Sequence, residues 1–339
     1  MKAAIFRGGG IVVDTMPEPV PARGQVLVKT LCCGICGSDL HAVKHARLMA
    51  EVTRRIPGRA PMDLSRDIVM GHEFCCEVID YGPDTERKLK PGTRVCAMPV
   101  MLESDGPKGM GYSNKYVGGY AEQMLLSAPM LLEVPNGLPS DHAALTEPLA
   151  VGVHAVVKAA LKGDEAPLVV GTGPVGLAVI AALRLKGIRP IVAADFSPKR
   201  RELAIKMGAD AAVDPATESP YARLAPGRRV AVFECVGVPG MLQQMFEKVP
   251  REARVVVVGV CMEPDKIEPM FGIVKELSLQ FVLGYTPEEF ARSLRLLAEG
   301  QIDAPSLITG KVGLDAVKDA FNELGNPERH TKILVEPWR

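Results

Sequence analysis

The sequence predicts an α/β protein: a doubly wound parallel sheet combined with a second, β-rich domain. Three observations lead there. About the first 135 residues read as short β runs broken by Gly and Pro. A regular alternation of strand and helix follows, and a G-x-G-x-x-G run sits at the first strand-to-helix turn of that alternation. The chain has 339 residues, room for about two domains at ~100–200 residues each. It is 47% apolar and 24% charged, with a formal net charge of zero. That is ordinary for a globular protein and argues against a general binder of nucleic acid or anionic membrane, which would carry a basic excess.

The β-rich part is carried by "GQVLVKT", "EFCCEVIDYG", "GTRVCAM" and "GGYAEQMLL". At "SDHAALTEPLAVGVHAVVKAALKG" the apolar period becomes helical. "PLVVG" is then a strand, "GPVGLAVIAALRLKG" a helix closed by glycine, and "PIVAAD" a strand. "SPKRRELAIKMG" is a helix with Ser197 as N-cap and Pro198 in its first turn. "AAVD", "VAVFECVG", "ARVVVVGV" and "LSLQFVLG" supply further strands, and "PEEFARSLRLLAEGQI" a helix. The last strand, "TKILVEP", lies far beyond the alternating region and is expected to return to the first domain. The expected division is 1–147 with 286–339, and 148–285. No apolar run approaches the ~18 residues of a membrane span. The opening "MKAAIFRGGGIVVD" lacks the features of a secretory signal. Eight cysteines in that setting suggest reduced thiols in the cytoplasm.

The glycine run is Gly171, Gly173 and Gly176. It follows an apolar strand, opens an amphipathic helix, and precedes by 24 positions an acidic residue, Asp195, at the end of the next strand. That context is the Rossmann dinucleotide fingerprint. Gly171 permits the tight turn, Gly173 lets the backbone approach a pyrophosphate at the helix N-terminus, and Gly176 permits close helix–strand packing. The plainer alternative is that the glycines only shape a βα turn and Asp195 caps the next helix.

Three separate stretches carry metal-ligand chemistry: "LCCGICGSDLH", "MGHEFCCEVID" and "ALTEPLAVGVHA". Cysteine, histidine and carboxylate are zinc ligands, and a catalytic zinc takes three protein ligands and keeps one position open. Cys33 and Cys36 have C-x-x-C spacing, so the spacing alone leaves the choice of cysteine open.

In this order and at these distances, "CGSDLH", "GHE", "EPLAVG" and "VGTGPVG" resemble the zinc-dependent medium-chain dehydrogenases, on the branch of sorbitol, threonine and secondary-alcohol dehydrogenases. The resemblance covers nearly the whole chain, including "GGYAEQ" and "VVVVGV". It implies a GroES-like catalytic domain beside the Rossmann domain. It further implies zinc on Cys36, His72 and Glu147, with Glu73 beside the metal as an exchanging ligand. Cys33 is then a core residue. Cys32, Cys75, Cys76, Cys235 and Cys261 sit in apolar strand text, and His45, His142, His154 and His330 lack a partner motif. The resemblance gives Ser38 the contact to the substrate oxygen and His41 the passage of the proton to solvent through the cofactor ribose. Asp39 supports His72, and is equally readable as a helix cap. Pro174, Val175, Val258 and Val260 join the glycines, Asp195 and Arg200 at the cofactor, while Lys199 and Arg201 are expected to face solvent.

Two departures stand out. The lobe that in many relatives holds a second, structural zinc on four cysteines has here only Cys96, so no structural zinc is expected. The stretch between Cys36 and His72 is long, and its Leu48, Met49, Val52 and Ile56 recur near helical spacing. It reads as a lid or as a surface helix. The expected function is zinc- and NAD-dependent oxidation of a secondary alcohol or polyol by a homodimer or homotetramer. The alternatives are a zinc-free quinone or enone reductase on the same fold and a non-enzymatic NAD-binding protein. Against the first stands the complete ligand set, and against the second the intact Ser38 and His41.

Overall fold

The computed structural model describes residues 1–56 and 62–339. In chain order it runs β1 (Lys2–Arg7), β2 (Gly10–Thr15), β3 (Gln25–Gly34), α1 (Gly37–Lys44), α2 (Ala46–Arg55), β4 (Ile68–Val69), β5 (Glu73–Tyr81), β6 (Arg94–Ala97), β7 (Val100–Glu103), β8 (Gly106–Gly109), β9 (Gln123–Ser127) and β10 (Leu131–Glu133). Then come α3 (Ser140–Ala143), α4 (Thr146–Lys158), β11 (Ala166–Val170), α5 (Pro174–Leu185), β12 (Val192–Ala194), α6 (Pro198–Met207), β13 (Ala211–Val213), β14 (Val230–Glu234), α7 (Met241–Lys248) and β15 (Arg254–Val257). The chain closes with α8 (Pro269–Lys275), β16 (Ser278–Phe281), α9 (Pro287–Ala298), β17 (Ile308–Val312), α10 (Val317–Leu324) and β18 (Lys332–Val335). Two compact units result. One comprises 1–147, 294–326 and 332–339, and the other 148–293 and 327–331. The second crossing falls inside α9, later than the 285/286 boundary expected from sequence.

In the first unit β3 is the hub. It pairs antiparallel with β5, β9 and β18, within the order β10-β6-β5-β3-β18-β17. The long apolar run of β3 is explained by this position: Val26, Val28, Cys32 and Cys33 are buried. The final strand does return here, with Leu334 opposite Gly34 and Val335 opposite Cys33. The pairing matters for function because it brings the end of β3, the start of β5 and the start of β18 together. Cys75, Cys76 and Cys96 are core residues, while Cys261 is exposed, because it lies beyond the end of β15.

The long stretch after Cys36 forms α1 and α2. Ala50 is buried, and Val43, Ala46 and Met49 pack against the core, which is the surface-helix reading for residues 46–55. Ile56 is exposed, and residues 57–61 of the expected lid lie outside the described residues.

The second unit is a six-stranded parallel sheet in the order β13-β12-β11-β14-β15-β16, which reverses direction between β11 and β14. Strands covered on both faces read as continuous apolar runs, as Leu168, Val169, Val232, Phe233, Val255 and Val256 do. Ser197 caps α6 as expected, accepting from the Arg200 amide at 3.2 Å, with Pro198 at the first position.

Candidate active site

Cys36 ends the extended chain of β3 and is the N-cap of α1. His72 immediately precedes β5 and Glu73 opens it, and register puts Glu73 opposite Gly34. Strand pairing thus gathers a thiol, an imidazole and a carboxylate whose ligand atoms lie within 4.8 Å of one another, a single such group among the described residues. Gly34 makes room for the carboxylate: a Cβ there would lie 2.1 Å from Glu73 Oε2. Cys33, fully buried in β3, is outside the group. Glu147, buried in the first turn of α4, is also outside it, although its charge helps raise the pKa of Lys332.

Glu73 is not a free ligand. Lys332 Nζ donates to its Oε1 at 2.8 Å and Oε2 at 2.6 Å, and to the Ile35 carbonyl at 2.9 Å. Both side chains are 1% exposed. Burial disfavours the ammonium, but Glu73 and Cys36 outweigh it and hold the Lys332 pKa above its usual value. Lys332 escaped the sequence reading, although a lysine opening the apolar run "KILV" was a signal that its amine needs a buried partner.

Asp39, the third residue of α1, is completely buried, accepts three hydrogen bonds and faces His72. Its Oδ2 takes the Cys36 amide at 3.0 Å and the Tyr120 hydroxyl at 2.6 Å; its Oδ1 takes the Tyr112 hydroxyl at 2.9 Å and faces His72 Nδ1 at 3.5 Å. The helix-cap and histidine-support roles of Asp39 therefore coexist in one carboxylate. Burial pushes its pKa up, yet His72, Tyr120 and the Cys36 amide pull it below the usual carboxylate range. His72 mirrors this: burial lowers its pKa, and Asp39 and Cys36 raise it well above the ordinary value. Tyr112 and Tyr120 are also new to the site. Buried tyrosines need a hydroxyl partner, so the three tyrosines of "GYSNKYVGGYAE" were the available signal.

Ser38 Oγ lies 3.5 Å from His72 Nε2 and 2.8 Å from the Tyr112 hydroxyl. His41, three residues along α1, stacks on His45 with ring centroids 6.3 Å apart. Its pKa is lowered, by burial first and then by His45 and Lys44. The donor set suits zinc, which takes exactly these atom types from cysteine, histidine and carboxylate. The buried Nδ1 of His72 makes no regular hydrogen bond and is oriented on Asp39, leaving Nε2 on the side of Ser38.

In the second unit the glycine turn has the shape the fingerprint requires. Gly171 has φ +86° and a Cβ there would strike Val236, while a Cβ on Gly176 would lie 1.9 Å from the Gly171 carbonyl oxygen. Gly173 caps α5 in front of Pro174 and Val175, with only the Arg200 guanidinium near it, 3.9 Å from a Cβ position. Arg200 Nε is buried without a hydrogen-bond partner. Asp195 accepts from the Thr172 amide at 2.8 Å and the Ser197 amide at 2.9 Å, so it does brace both turns. Val258 is buried and Val260 exposed past the end of β15. Lys199 is exposed, as expected, and Arg201 is half-buried. Arg201 donates to the carbonyls of Asp195 and Phe196, and Lys199 to that of Glu328. His154, which has no partner motif in sequence, is buried against Glu289 at 2.8 Å.

Comparison with known proteins bears on both units. Residues 22–136 match the pattern described as "Alcohol dehydrogenase GroES-like domain", and residues 174–299 that described as "Zinc-binding dehydrogenase". The chain is 33% identical to a (R,R)-butanediol dehydrogenase of Bacillus subtilis, over 99% of this chain and 100% of that one. The crystal structure of a 2R,3R-butanediol dehydrogenase from the same organism superposes with a TM-score of 0.83 at 30% identity, covering 99% of each chain. A putative zinc-binding dehydrogenase from Sinorhizobium meliloti, solved with NADP, gives 0.82 at 27% identity, again covering 99% of each.

Proposed function

Because this chain belongs to the zinc-dependent medium-chain dehydrogenases, we propose that it oxidises a secondary alcohol or vicinal diol to the ketone, reversibly, with NAD and one zinc per chain. The observation that carries this reading is the convergence of the Cys36 thiol and the His72 imidazole beside Ser38, with the buried Glu73–Lys332 pair against them. By the family resemblance Glu147 completes the ligand set with Cys36 and His72, and Glu73, engaged on both oxygens by Lys332, lies beside them. When bound, zinc supplies a Lewis acid that makes the alcohol proton easier to remove, and NAD supplies the hydride acceptor. Ser38 takes the alcohol proton and His41 passes it toward solvent. Asp39 holds the His72 ring in one orientation and tautomer. The lobe sequence supplies one cysteine, Cys96, where a closed tetrahedral site takes four ligands, which supports a single zinc per chain.

NAD over NADP follows from Asp195, whose charge opposes a 2′-phosphate. At an effective dielectric near 20, two unit charges about 4 Å apart repel by roughly 4 kcal/mol. Arg200 is the counterweight, and its place over Gly173 suits a pyrophosphate as well as a ribose. The edge strand β16, the residues just after it and helix α8 expose Phe281, Leu283, Met270 and Ile273. Pairing two such edges across a two-fold axis covers them, which supports a dimer or a dimer of dimers. A cytoplasmic location suits the eight unpaired thiols. The test is NADH formation by zinc-loaded protein offered primary alcohols, secondary alcohols, vicinal diols and polyols. Turnover of the secondary or vicinal class is expected. Reduction of quinones or enones in its place, or no redox turnover, would favour one of the two alternatives.

A further inference from the structure

Tyr112 has no place in the reading above, yet its hydroxyl touches two of that reading's residues. It lies 2.8 Å from Ser38 Oγ and 2.9 Å from Asp39 Oδ1, and its ring lies against His72 with centroids 5.5 Å apart. A phenol has one proton to give. Asp39 receives an amide hydrogen from Cys36 and a hydroxyl hydrogen from Tyr120, and faces His72 Nδ1, so every contact places it as an acceptor. The Tyr112 proton therefore goes to Asp39, and the Tyr112 oxygen is left to accept. The only proton that can fill the 2.8 Å contact is the one on Ser38. Ser38 is then fixed as a donor toward Tyr112, with its lone pairs directed elsewhere.

We propose that Tyr112 is a positioning residue for the reaction. Its hydroxyl turns the Ser38 O–H away from the substrate, so that a Ser38 lone pair faces the alcohol proton to be removed, and it ties that alignment to the carboxylate supporting His72. As the lone pair takes the alcohol proton, the Ser38 O–H leaves Tyr112 and its proton passes toward His41, so one proton enters Ser38, one leaves, and its charge is unchanged. This inference rests on the proposed alcohol oxidation. It differs from a packing role, because the ring alone would fill the space beside His72.

The test is Tyr112→Phe, which keeps the ring and removes the hydroxyl, within a double-mutant cycle with Ser38→Ala. For Tyr112→Phe, kcat of alcohol oxidation should fall about tenfold, within the range for partners that orient a primary group. KM for NAD should stay within about twofold, and the solvent deuterium isotope effect on kcat should rise as proton removal becomes limiting. In the Ser38→Ala background the same change should cost nothing further, since Tyr112 acts through Ser38. Zinc retention against a chelator should be nearly unchanged for Tyr112→Phe, because Asp39 keeps Tyr120 and the Cys36 amide, and should drop for Tyr120→Phe. An unchanged kcat and isotope effect, or equal losses in both backgrounds, would overturn the assignment. Misfolding of Tyr112→Phe, seen as loss of zinc and of a cooperative melt, would also overturn it, by showing that the hydroxyl serves the fold. Absence of alcohol oxidation in the unmodified protein would sink the underlying reading, and this proposal with it, and is told apart by being seen before any substitution.

Discussion

Replacing Lys332 by Met removes the ammonium that faces Glu73 while keeping a side chain of similar length. Glu73 would be left with its charge and with almost no water, since both side chains are 1% exposed. Breaking a buried ion pair by removing one partner costs about 3–5 kcal/mol. That is roughly two to four orders of magnitude in the folding equilibrium, a large fraction of the 5–15 kcal/mol typical of a whole domain. The single tryptophan, Trp338, lies in the same unit and stacks under the Lys29 ammonium, so its fluorescence reports the right region. Urea unfolding of zinc-stripped protein keeps metal ligation from masking the loss. The midpoint should fall with the slope unchanged. The double variant Lys332→Met with Glu73→Gln should recover about half of the loss or more, because no lone charge remains. A shift below about 1 kcal/mol, or a double variant no better than the single, would refute the argument that this pair is an energetically coupled clamp.

Gly34→Ala should displace the Glu73 carboxylate and destabilise by about 1–3 kcal/mol, as overpacking does, measured by the same unfolding. Cys36→Ser should abolish zinc binding in elemental analysis and Cys33→Ser should leave about one zinc per chain; the opposite pattern would move the site to Cys33. NAD should be preferred at least tenfold in kcat/KM, and Asp195→Ala should narrow the gap; comparable efficiency with NADP would show that Arg200 outweighs the carboxylate. Asp39 has a depressed folded pKa, so it contributes stability above the ordinary carboxylate value near ~3.9, lost as pH falls through the folded value. Asp39→Asn should flatten the acid side of a stability–pH profile, and an unchanged slope there would contradict this.

Much of the architecture was legible because it is written in period and punctuation. The alternation after residue 166, the glycine turn and the Ser197–Pro198 cap all depend on neighbours in sequence, and the structure has each of them. The pairing of β18 with β3 was foreseen only as a return of the chain, since register is set by contacts some three hundred residues apart. The same distance hid Lys332 from the site. Its partner is Glu73, and nothing local to "TKILVEP" names that carboxylate. Tyr112 and Tyr120 were missed for a related reason: a tyrosine in loop text signals a need for a hydroxyl partner but not which one. Lys199 is exposed, as its helix face implied, whereas Arg201 is half-buried and donates to the carbonyls of Asp195 and Phe196, which helix face alone did not signal.

The claim on which the account turns is that Cys36 and His72, with one carboxylate, hold a catalytic zinc. Zinc-edge X-ray absorption on protein loaded with one equivalent measures this directly. The account predicts one sulfur at about 2.3 Å with the remaining donors nitrogen and oxygen at about 2.0–2.2 Å, and complete loss of the sulfur shell in Cys36→Ser. A shell of two or more sulfurs, or none, would contradict it.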